Sequence, residues 1–234
     1  MSQLNDHAFQ RRFKPFAERM QQARLPDLVI KRFGLHYRQL LQGDSGTLSR
    51  EEIDPVKQVP DAEELSGYEE SGRAAIAKTV VLKLNGGLGT SMGLDQAKSL
   101  LVAKEGLNFL DIIARQILAT RQACNCNLPL VLMNSFNTRQ DSLDHLDAYP
   151  DLQSDVPLDF VQHRVPKVAQ DGLTPMHWEP DPTLEWCPPG HGDIYTALLT
   201  SGMLDQLLSN GYVYAFVSNV DNLGAMLDEQ ILGY

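Results

Sequence analysis

A glycine-rich segment near the middle of the chain has the composition of an anion-binding loop. Residues 84–93 read Leu-Asn-Gly-Gly-Leu-Gly-Thr-Ser-Met-Gly, and Lys98 follows five residues after Gly93. Glycines allow the backbone to approach a ligand closely, and successive amide N–H groups in such a turn attract anions. The Lys98 side chain is long enough to reach back to phosphate oxygens. The segment therefore predicts a phosphate-binding loop, and a glycine-rich turn without a ligand is the alternative.

The spacing of this loop matches neither of two common nucleotide-binding patterns. A P-loop requires Gly-Lys-Ser/Thr, but Ala97 precedes Lys98 here. A dinucleotide-binding fingerprint requires G-x-G-x-x-G, whereas Gly87, Gly89 and Gly93 are spaced G-x-G-x-x-x-G. If the loop binds phosphate, it does so in the manner of another nucleotide-binding family.

Polar side chains also follow two of the predicted strands. Residues 218–224 read Ser-Asn-Val-Asp-Asn-Leu-Gly and place Asp221 just beyond a strand. Mg²⁺ prefers one or two carboxylates together with phosphate oxygens, so Asp221 is a candidate metal ligand; an Asx-type turn is the alternative. Gln162 ends the run Phe-Val-Gln, and its amide can pair with the edge of a base. A plain strand-end glutamine explains the local pattern nearly as well.

A fourth segment lies before a predicted helix. Residues 187–193 read Cys-Pro-Pro-Gly-His-Gly-Asp, so that prolines fix the approach and glycines allow close contact around His191. An ordinary turn with Asp193 as the helix N-cap is the alternative.

The elements that position these residues follow from the hydrophobic pattern. Phe9, Phe13, Phe16 and Met20 recur at helical spacing, and a second helical stretch begins at Pro26. Residues 43–75 are polar and predict a connector. From residue 78 onward, apolar runs at 79–84, 99–102, 130–133, 159–162 and 212–218 alternate with helical patterns at 109–123, 139–146 and 193–208. We therefore predict a helical N-terminal region with its connector over 1–77 and a nucleotide-binding domain over 78–234.

This alternation predicts an α/β fold with a mostly parallel sheet covered by helices on both faces. In such sheets ligands bind outside the carboxyl ends of the strands. Residues 84–98, 162–167 and 218–224 follow predicted strands, and all of them are expected at that edge together with residues 187–193.

The composition favours a globular protein that does not bind nucleic acid or membranes. The 234 residues are 43% hydrophobic and 21% charged, with a net charge of −10. That charge disfavours nucleic acid and anionic membrane surfaces as partners. No apolar run approaches the ~20 residues that span a bilayer, and the N-terminus lacks the apolar core of a secretory signal. Cys124, Cys126 and Cys187 lack zinc-ligand spacing, so free thiols in a reducing cytoplasm are expected.

The glycine loop resembles that of a known enzyme family. Residues 83–93 with Lys98 and Ser99 are similar to the nucleotide-binding loop of the eukaryotic-type UTP:glucose-1-phosphate uridylyltransferases, or UDP-glucose pyrophosphorylases. Residues 189–193 and 219–224 resemble that family's Pro-Gly-His-Gly-Asp and Asn-x-Asp-Asn-Leu-Gly motifs. Gln96-Ala97 stands where the family commonly has Gly-Pro, and Val165 stands before Pro166 where it commonly has tyrosine.

The resemblance implies a Rossmann-like, GT-A-like nucleotidyltransferase domain that converts UTP and glucose-1-phosphate into UDP-glucose and pyrophosphate with Mg²⁺. It implies that Lys98 is catalytic and that Asp221 binds the metal. The nucleotide-binding residues that it implies are Leu84, Asn85, Gly86, Gly87, Gln162, Gly190 and Asp221. The substrate-binding residues that it implies are Gly86, Gly87, His191, Asn219, Val220 and Asp221.

The resemblance is strong over residues 78–230 and loose over 1–77. Family members carry a second lysine downstream of the Asn-x-Asp motif and a C-terminal β-rich domain, whereas this sequence stops at Tyr234. The expectation is therefore a C-terminally truncated chain that turns over little by itself.

Three other functions remain open. A relative that uses another sugar-1-phosphate usually carries an Ala-Gly-Gly-Gln-Gly-Thr-Arg loop, so residues 85–91 favour glucose. An NAD(P)-binding module would bind its cofactor without magnesium and would tolerate Lys98→Ala. A nucleotide-binding fragment without catalysis is the third.

Overall fold

The computed structural model describes residues 5–44, 46–88 and 96–234. Its α-helices are α1 (Asp6–Gln22), α2 (Asp27–Leu41), α3 (Glu69–Ile76), α4 (Phe109–Cys124), α5 (Arg139–Leu146), α6 (Ile194–Thr200), α7 (Met203–Ser209) and α8 (Glu229–Gly233). Its strands are β1 (Thr79–Asn85), β2 (Val102–Lys104), β3 (Leu107–Asn108), β4 (Leu130–Asn134), β5 (Asp159–Val161), β6 (Val165–Pro166), β7 (Trp186–Cys187) and β8 (Tyr214–Asn219). None of the described helices is long and apolar enough to cross a membrane.

The chain forms two compact units. The first comprises Met1–Val59 and His163–Gly190, and the second comprises Pro60–Gln162 and His191–Tyr234. These units are defined by the density of contacts. The predicted domain boundary between residues 77 and 78 was drawn from the hydrophobic pattern along the chain and not from contacts, so it stays a prediction.

In the first unit, α1 and α2 pack through aromatic side chains. Phe9, Phe16 and Tyr37 are buried, and the rings of Phe16 and Tyr37 lie 4.7 Å apart. The predicted amphipathic face of the first helix is confirmed, because Phe9, Phe16 and Met20 are its buried residues. The short antiparallel pair of β6 and β7 completes the described strands of this unit.

The second unit is built on a four-stranded parallel sheet with the order β5-β4-β1-β8. Alternate residues of β1 face opposite sides of the sheet. Val81 packs against Ile113 and Ile117 of α4, whereas Val80 and Leu82 belong to the cluster formed with α6 and α7. The predicted parallel sheet with helices on both faces is therefore confirmed.

Three details differ from the prediction. The single helix expected over 193–208 is two helices, because Gly202 takes a positive φ of +78° that ends α6 and begins α7. The apolar run at 99–102 is not a strand: Lys98–Leu100 forms a 3-10 turn, and the exposed β2 begins at Val102. The polar connector contains α3, whose first turn begins at Glu69.

Candidate functional site

The carboxyl ends of all four parallel strands lie at one edge of the sheet. β1 ends at Asn85, β4 at Asn134, β5 at Val161 and β8 at Asn219. The residues that follow these strands, among them Gly86, Gln162 and Asp221, therefore meet at the same edge. The described residues of this unit that directly follow β1, β5 and β8 are thus brought together, as the sequence predicted for these three strand ends.

A buried polar network holds the start of the glycine loop. The side-chain nitrogen of Asn85, Nδ2, donates to Asn134 Oδ1 and to Ser142 Oγ, each at 2.7 Å. Thr138 Oγ1 donates to the Asn85 carbonyl at 2.6 Å. The side-chain N–H groups of Asn85 are thus used within the protein, where they fix the turn after β1.

Sequence reasoning did not identify Asn134, Thr138 or Ser142 as support for this turn. They lie 49 to 57 positions from Asn85 along the chain. The one available signal was a polar residue, Asn134, at the end of the apolar run 130–133.

Gly86 lies directly against Gln162. A Cβ added to Gly86 would overlap Nε2 of the Gln162 side chain. Gln162 is 4% exposed, and its backbone N–H donates to the Asn134 carbonyl at 2.8 Å. Its Oε1 is buried and finds no hydrogen-bond partner among the described residues. A buried acceptor without a partner costs free energy, and a ligand N–H at this point would satisfy it.

The base of the glycine loop is closed by backbone pairing. Lys98 N–H donates to the Gly87 carbonyl at 3.1 Å, and Leu88 forms an antiparallel bridge with Ala97. This pairing places the first residue of the 3-10 turn beside the end of β1. Two of the predicted loop glycines, Gly89 and Gly93, lie outside the described residues.

Lys98 and Asp221 form a short ion pair. Lys98 Nζ lies 2.5 Å from Asp221 Oδ2, and the two side chains are 33% and 32% exposed. The hydrogen bond from Lys98 lowers the pKa of Asp221 from its ordinary value, burial opposes this, and the charges of Lys98 and His191 lower the pKa further. The structure therefore brings together the lysine predicted to meet phosphate and the carboxylate predicted to bind metal.

The remaining predicted residues differ in their exposure and backbone conformation. His191 is exposed at the start of a 3-10 turn, Asn219 is exposed at the end of β8, and Val220 is buried. Gly190, the last residue of the first unit, has a φ of +100°, which a residue with a side chain rarely adopts. Asp193 is the N-cap residue of α6, as the alternative interpretation of this segment predicted, although its side chain makes no capping hydrogen bond to the helix.

The donor set fits magnesium that is shared with phosphate. Among the described residues no group of three or more His, Cys, Asp and Glu side chains is arranged to hold an ion. Asp221 supplies one partly exposed carboxylate, and Mg²⁺ commonly takes one or two protein carboxylates with substrate phosphates and waters. A metal on Asp221 would thus depend on a phosphate ligand for the rest of its coordination.

The parallel sheet and the polar residues at its strand ends define an α/β protein with a candidate ligand site at the carboxyl edge of the sheet. Residues 30–234 match the family model for UTP--glucose-1-phosphate uridylyltransferase, and the chain belongs to this family.

Similar proteins agree with this assignment. The chain is 44% identical over 158 residues to a UTP--glucose-1-phosphate uridylyltransferase from Solanum tuberosum. It superposes with a TM-score of 0.88 and 41% identity on the UDP-glucose pyrophosphorylase from Leishmania major, whose open and closed structures are known. A variant of the Leishmania protein in complex with UDP-glucose gives a TM-score of 0.87 and 42% identity.

The chain spans only part of these relatives. The match to the potato enzyme covers 67% of this chain and 33% of the enzyme. The superposition on the open and closed Leishmania structures covers 96% of this chain and 47% of that protein, and for the complex the shares are 95% and 46%.

Proposed function

We propose that this chain binds UTP and Mg²⁺ at the carboxyl edge of its sheet and takes part in uridylyl transfer to glucose-1-phosphate. The observation that carries the proposal is the Lys98–Asp221 pair beside the closed base of the glycine loop. A single nucleotide could then contact the Lys98 ammonium group through its phosphates and share a Mg²⁺ ion with the Asp221 carboxylate. The family membership and the UDP-glucose bound to the Leishmania variant support the same substrates.

In the proposed reaction, a phosphate oxygen of glucose-1-phosphate attacks the α-phosphorus of UTP. A new P–O bond forms UDP-glucose, and the bond to the leaving pyrophosphate breaks. Such a transfer needs no protein nucleophile, because alignment and charge neutralisation supply the catalysis. We assign Lys98 and the amides of the loop to the negative oxygens. Mg²⁺ on Asp221, when bound, would neutralise further charge on the phosphates.

Other residues are assigned to recognition. The unpartnered Gln162 Oε1 accepts the imide N–H of uracil, and Gly86 and Gly87 let the nucleotide approach the turn after Asn85. From the family motifs, Leu84 and Gly190 contact the nucleotide, while His191, Asn219 and Val220 face the sugar phosphate. The absence of nucleic-acid or membrane partners belongs to the same proposal, on the net charge of −10. A cytoplasmic location is proposed from the three cysteines, whose spacing and odd number favour free thiols.

Calorimetric titration with UTP tests the proposal and its rivals. With Mg²⁺ present, we expect the chain to bind UTP and to lose most of that affinity in Lys98→Ala. Binding of NAD(P) without Mg²⁺, unaffected by Lys98→Ala, would instead establish a dinucleotide-binding module. Displacement of UTP by UDP-glucose but not by UDP-N-acetylglucosamine would separate glucose from other sugars.

A coupled pyrophosphate-release assay with UTP, glucose-1-phosphate and Mg²⁺ tests turnover. We expect little turnover from the 234 residues alone and robust turnover from a longer chain that adds the regions present in the relatives. Robust UDP-glucose synthesis by the 234-residue chain would contradict the first expectation. UTP binding without turnover in either chain would leave a nucleotide-binding fragment as the better description.

A further inference from the structure

Lys83 is a buried cation without an acidic partner among the described residues. It lies on β1, is 3% exposed, and forms none of the ion pairs found in the described part of the chain. Burial lowers the pKa of its ammonium group. Burial of a charged group without an ion pair is costly, so the hydrogen bonds of this side chain must offset the loss of water.

The two hydrogen-bond acceptors of Lys83 flank the loop that carries Asp221. Lys83 Nζ donates to Ser218 Oγ at 2.7 Å and to the Ala225 carbonyl at 3.2 Å. Residues 219–224 lie between these two contacts. One ammonium group on the central strand β1 therefore joins both ends of this loop.

Other hydrogen bonds also hold this loop, in addition to the Lys98–Asp221 pair. Val220 N–H donates to the Leu84 carbonyl at 3.1 Å, and Gln116 Nε2 donates to the Leu223 carbonyl at 3.4 Å. Beneath the loop, a cavity of about 30 Å³ is lined by Lys83, Gln116 and Ala225 among others. The packing around Ala225 is therefore incomplete, whereas Val220 and Leu223 pack against the core formed with α4.

We propose that Lys83 is a positioning residue for Asp221, because its ammonium group fixes both ends of residues 219–224 and so holds the carboxylate opposite Lys98. The role of Asp221 in this statement rests on the proposed function. An ammonium group is needed because it donates to two acceptors at once, whereas a methionine of similar length donates to none.

Hydrogen–deuterium exchange of Lys83→Met tests the positioning directly and needs no nucleotide. The amides of Val220, Asn222 and Ala225 are hydrogen-bonded in the native loop. We expect their exchange to rise roughly tenfold, as for the loss of a hydrogen bond from a charged group. Exchange in α4 should stay unchanged. Unchanged protection of the loop, or an equal rise throughout the protein, would overturn the proposal.

Two variants control this experiment. Thr79→Val removes another hydrogen bond of β1, from Thr79 Oγ1 to the Ala75 carbonyl at 2.8 Å, and should leave the loop protected. Ser218→Ala removes one acceptor of Lys83 without touching the cation, and should give a smaller rise confined to 219–225. If Lys83→Met does not fold, Ser218→Ala tests the proposal instead. If the loop of Ser218→Ala is as protected from exchange as the loop of the parent chain, the proposal is overturned.

UTP titrations separate this proposal from the proposed function. With Mg²⁺, we expect Lys83→Met to weaken UTP binding roughly tenfold in the parent chain and to have no further effect in Asp221→Asn. An equal loss in both backgrounds would show that Lys83 does not act through Asp221. A parent chain that fails to bind UTP would refute the proposed function, while the exchange data would still decide whether Lys83 holds the loop.

Discussion

Gly86 lies at the carboxyl edge of the sheet, where the absence of a side chain leaves room for Gln162. A Cβ there would overlap Nε2, the far end of the buried Gln162 side chain, so this side chain would have to shift. The absence of a side chain at Gly86 and the position of Gln162 are therefore coupled. This coupling holds the unpartnered Gln162 Oε1 next to the turn that follows β1.

We predict that Gly86→Ala lowers the free energy of unfolding by about 1–3 kcal/mol, the usual cost of overpacking a well-packed site. Urea denaturation measures the change. Gly87→Ala is the matched control, because no described atom lies within 4 Å of a Cβ added there. It should change the free energy of unfolding by less than about 0.5 kcal/mol. Equal losses in the two variants would contradict the account of Gly86.

The sequence indicated candidate site residues but not the residues that support them. Lys98, Gln162 and Asp221 could be identified because each follows an apolar run or a glycine loop. Lys83 could not be assigned a partner, because Ser218 and Ala225 lie 135 and 142 positions away. Such long-range hydrogen bonds leave no local pattern, so supports of this kind become visible only in the structure.

At the scale of elements, the N-terminus of α4 is held by a reciprocal cap. Asn108 Oδ1 accepts from the Asp111 N–H at 2.8 Å, and Asp111 Oδ2 accepts from the Asn108 N–H at 2.9 Å. His145 and the Tyr149 hydroxyl also contact Asp111 Oδ1, each at 2.8 Å. Burial alone would raise the pKa of Asp111, but the hydrogen bonds from Asn108, Tyr149 and His145 lower it overall.

We predict that Asp111→Asn lowers the free energy of unfolding at neutral pH by about 1 kcal/mol, a typical value for a helix cap. Because the native pKa of Asp111 is depressed, its stabilisation is complete above the unfolded value of about 3.9. It is lost as the pH falls through the lower native value. Denaturation curves from pH 7 to pH 2 should therefore converge for the two proteins in acid.

Asp205→Asn provides the comparison for this experiment. Asp205 is an exposed carboxylate in the first turn of α7. Its replacement should change stability less than the replacement of Asp111 does. A pH-independent effect of Asp111→Asn would contradict the assigned role of the carboxylate.

The predicted elements differ in how well local sequence determines them. β1 was predicted because a β-branched run ends in Asn-Gly-Gly, and β4 was predicted from the apolar run 130–133. The break between α6 and α7 was missed, because the apolar spacing continues through Ser201-Gly202 and only the positive φ of Gly202 interrupts the helix. α3 was missed within a polar connector, although it buries Gly72 and Ile76.

At the scale of the whole molecule, β8 is an outer strand of the sheet and carries exposed apolar side chains. It pairs with β1 on one side, and no other described strand pairs with it. Tyr214 is 48% exposed and Val217 is 44% exposed. Exposed apolar edge strands favour pairing with another chain.

We therefore predict that the 234-residue chain associates reversibly as its concentration rises, and that Val217→Lys weakens this association, since an edge lysine opposes strand pairing. Sedimentation velocity measures both effects. Leu208→Lys is the control, because Leu208 is 55% exposed on α7 rather than on a sheet edge. If both variants reduce association equally, general surface charge rather than the edge strand is responsible.

The central claim is that Asp221 binds Mg²⁺ together with the phosphates of UTP, opposite Lys98. The most direct test is the Mg²⁺ dependence of UTP affinity, measured by calorimetry on the parent chain and on Asp221→Asn. We predict that Mg²⁺ strengthens UTP binding by about tenfold or more in the parent chain and changes it little in Asp221→Asn. The same Mg²⁺ response in both proteins, or no binding of UTP by the parent chain, would contradict the claim.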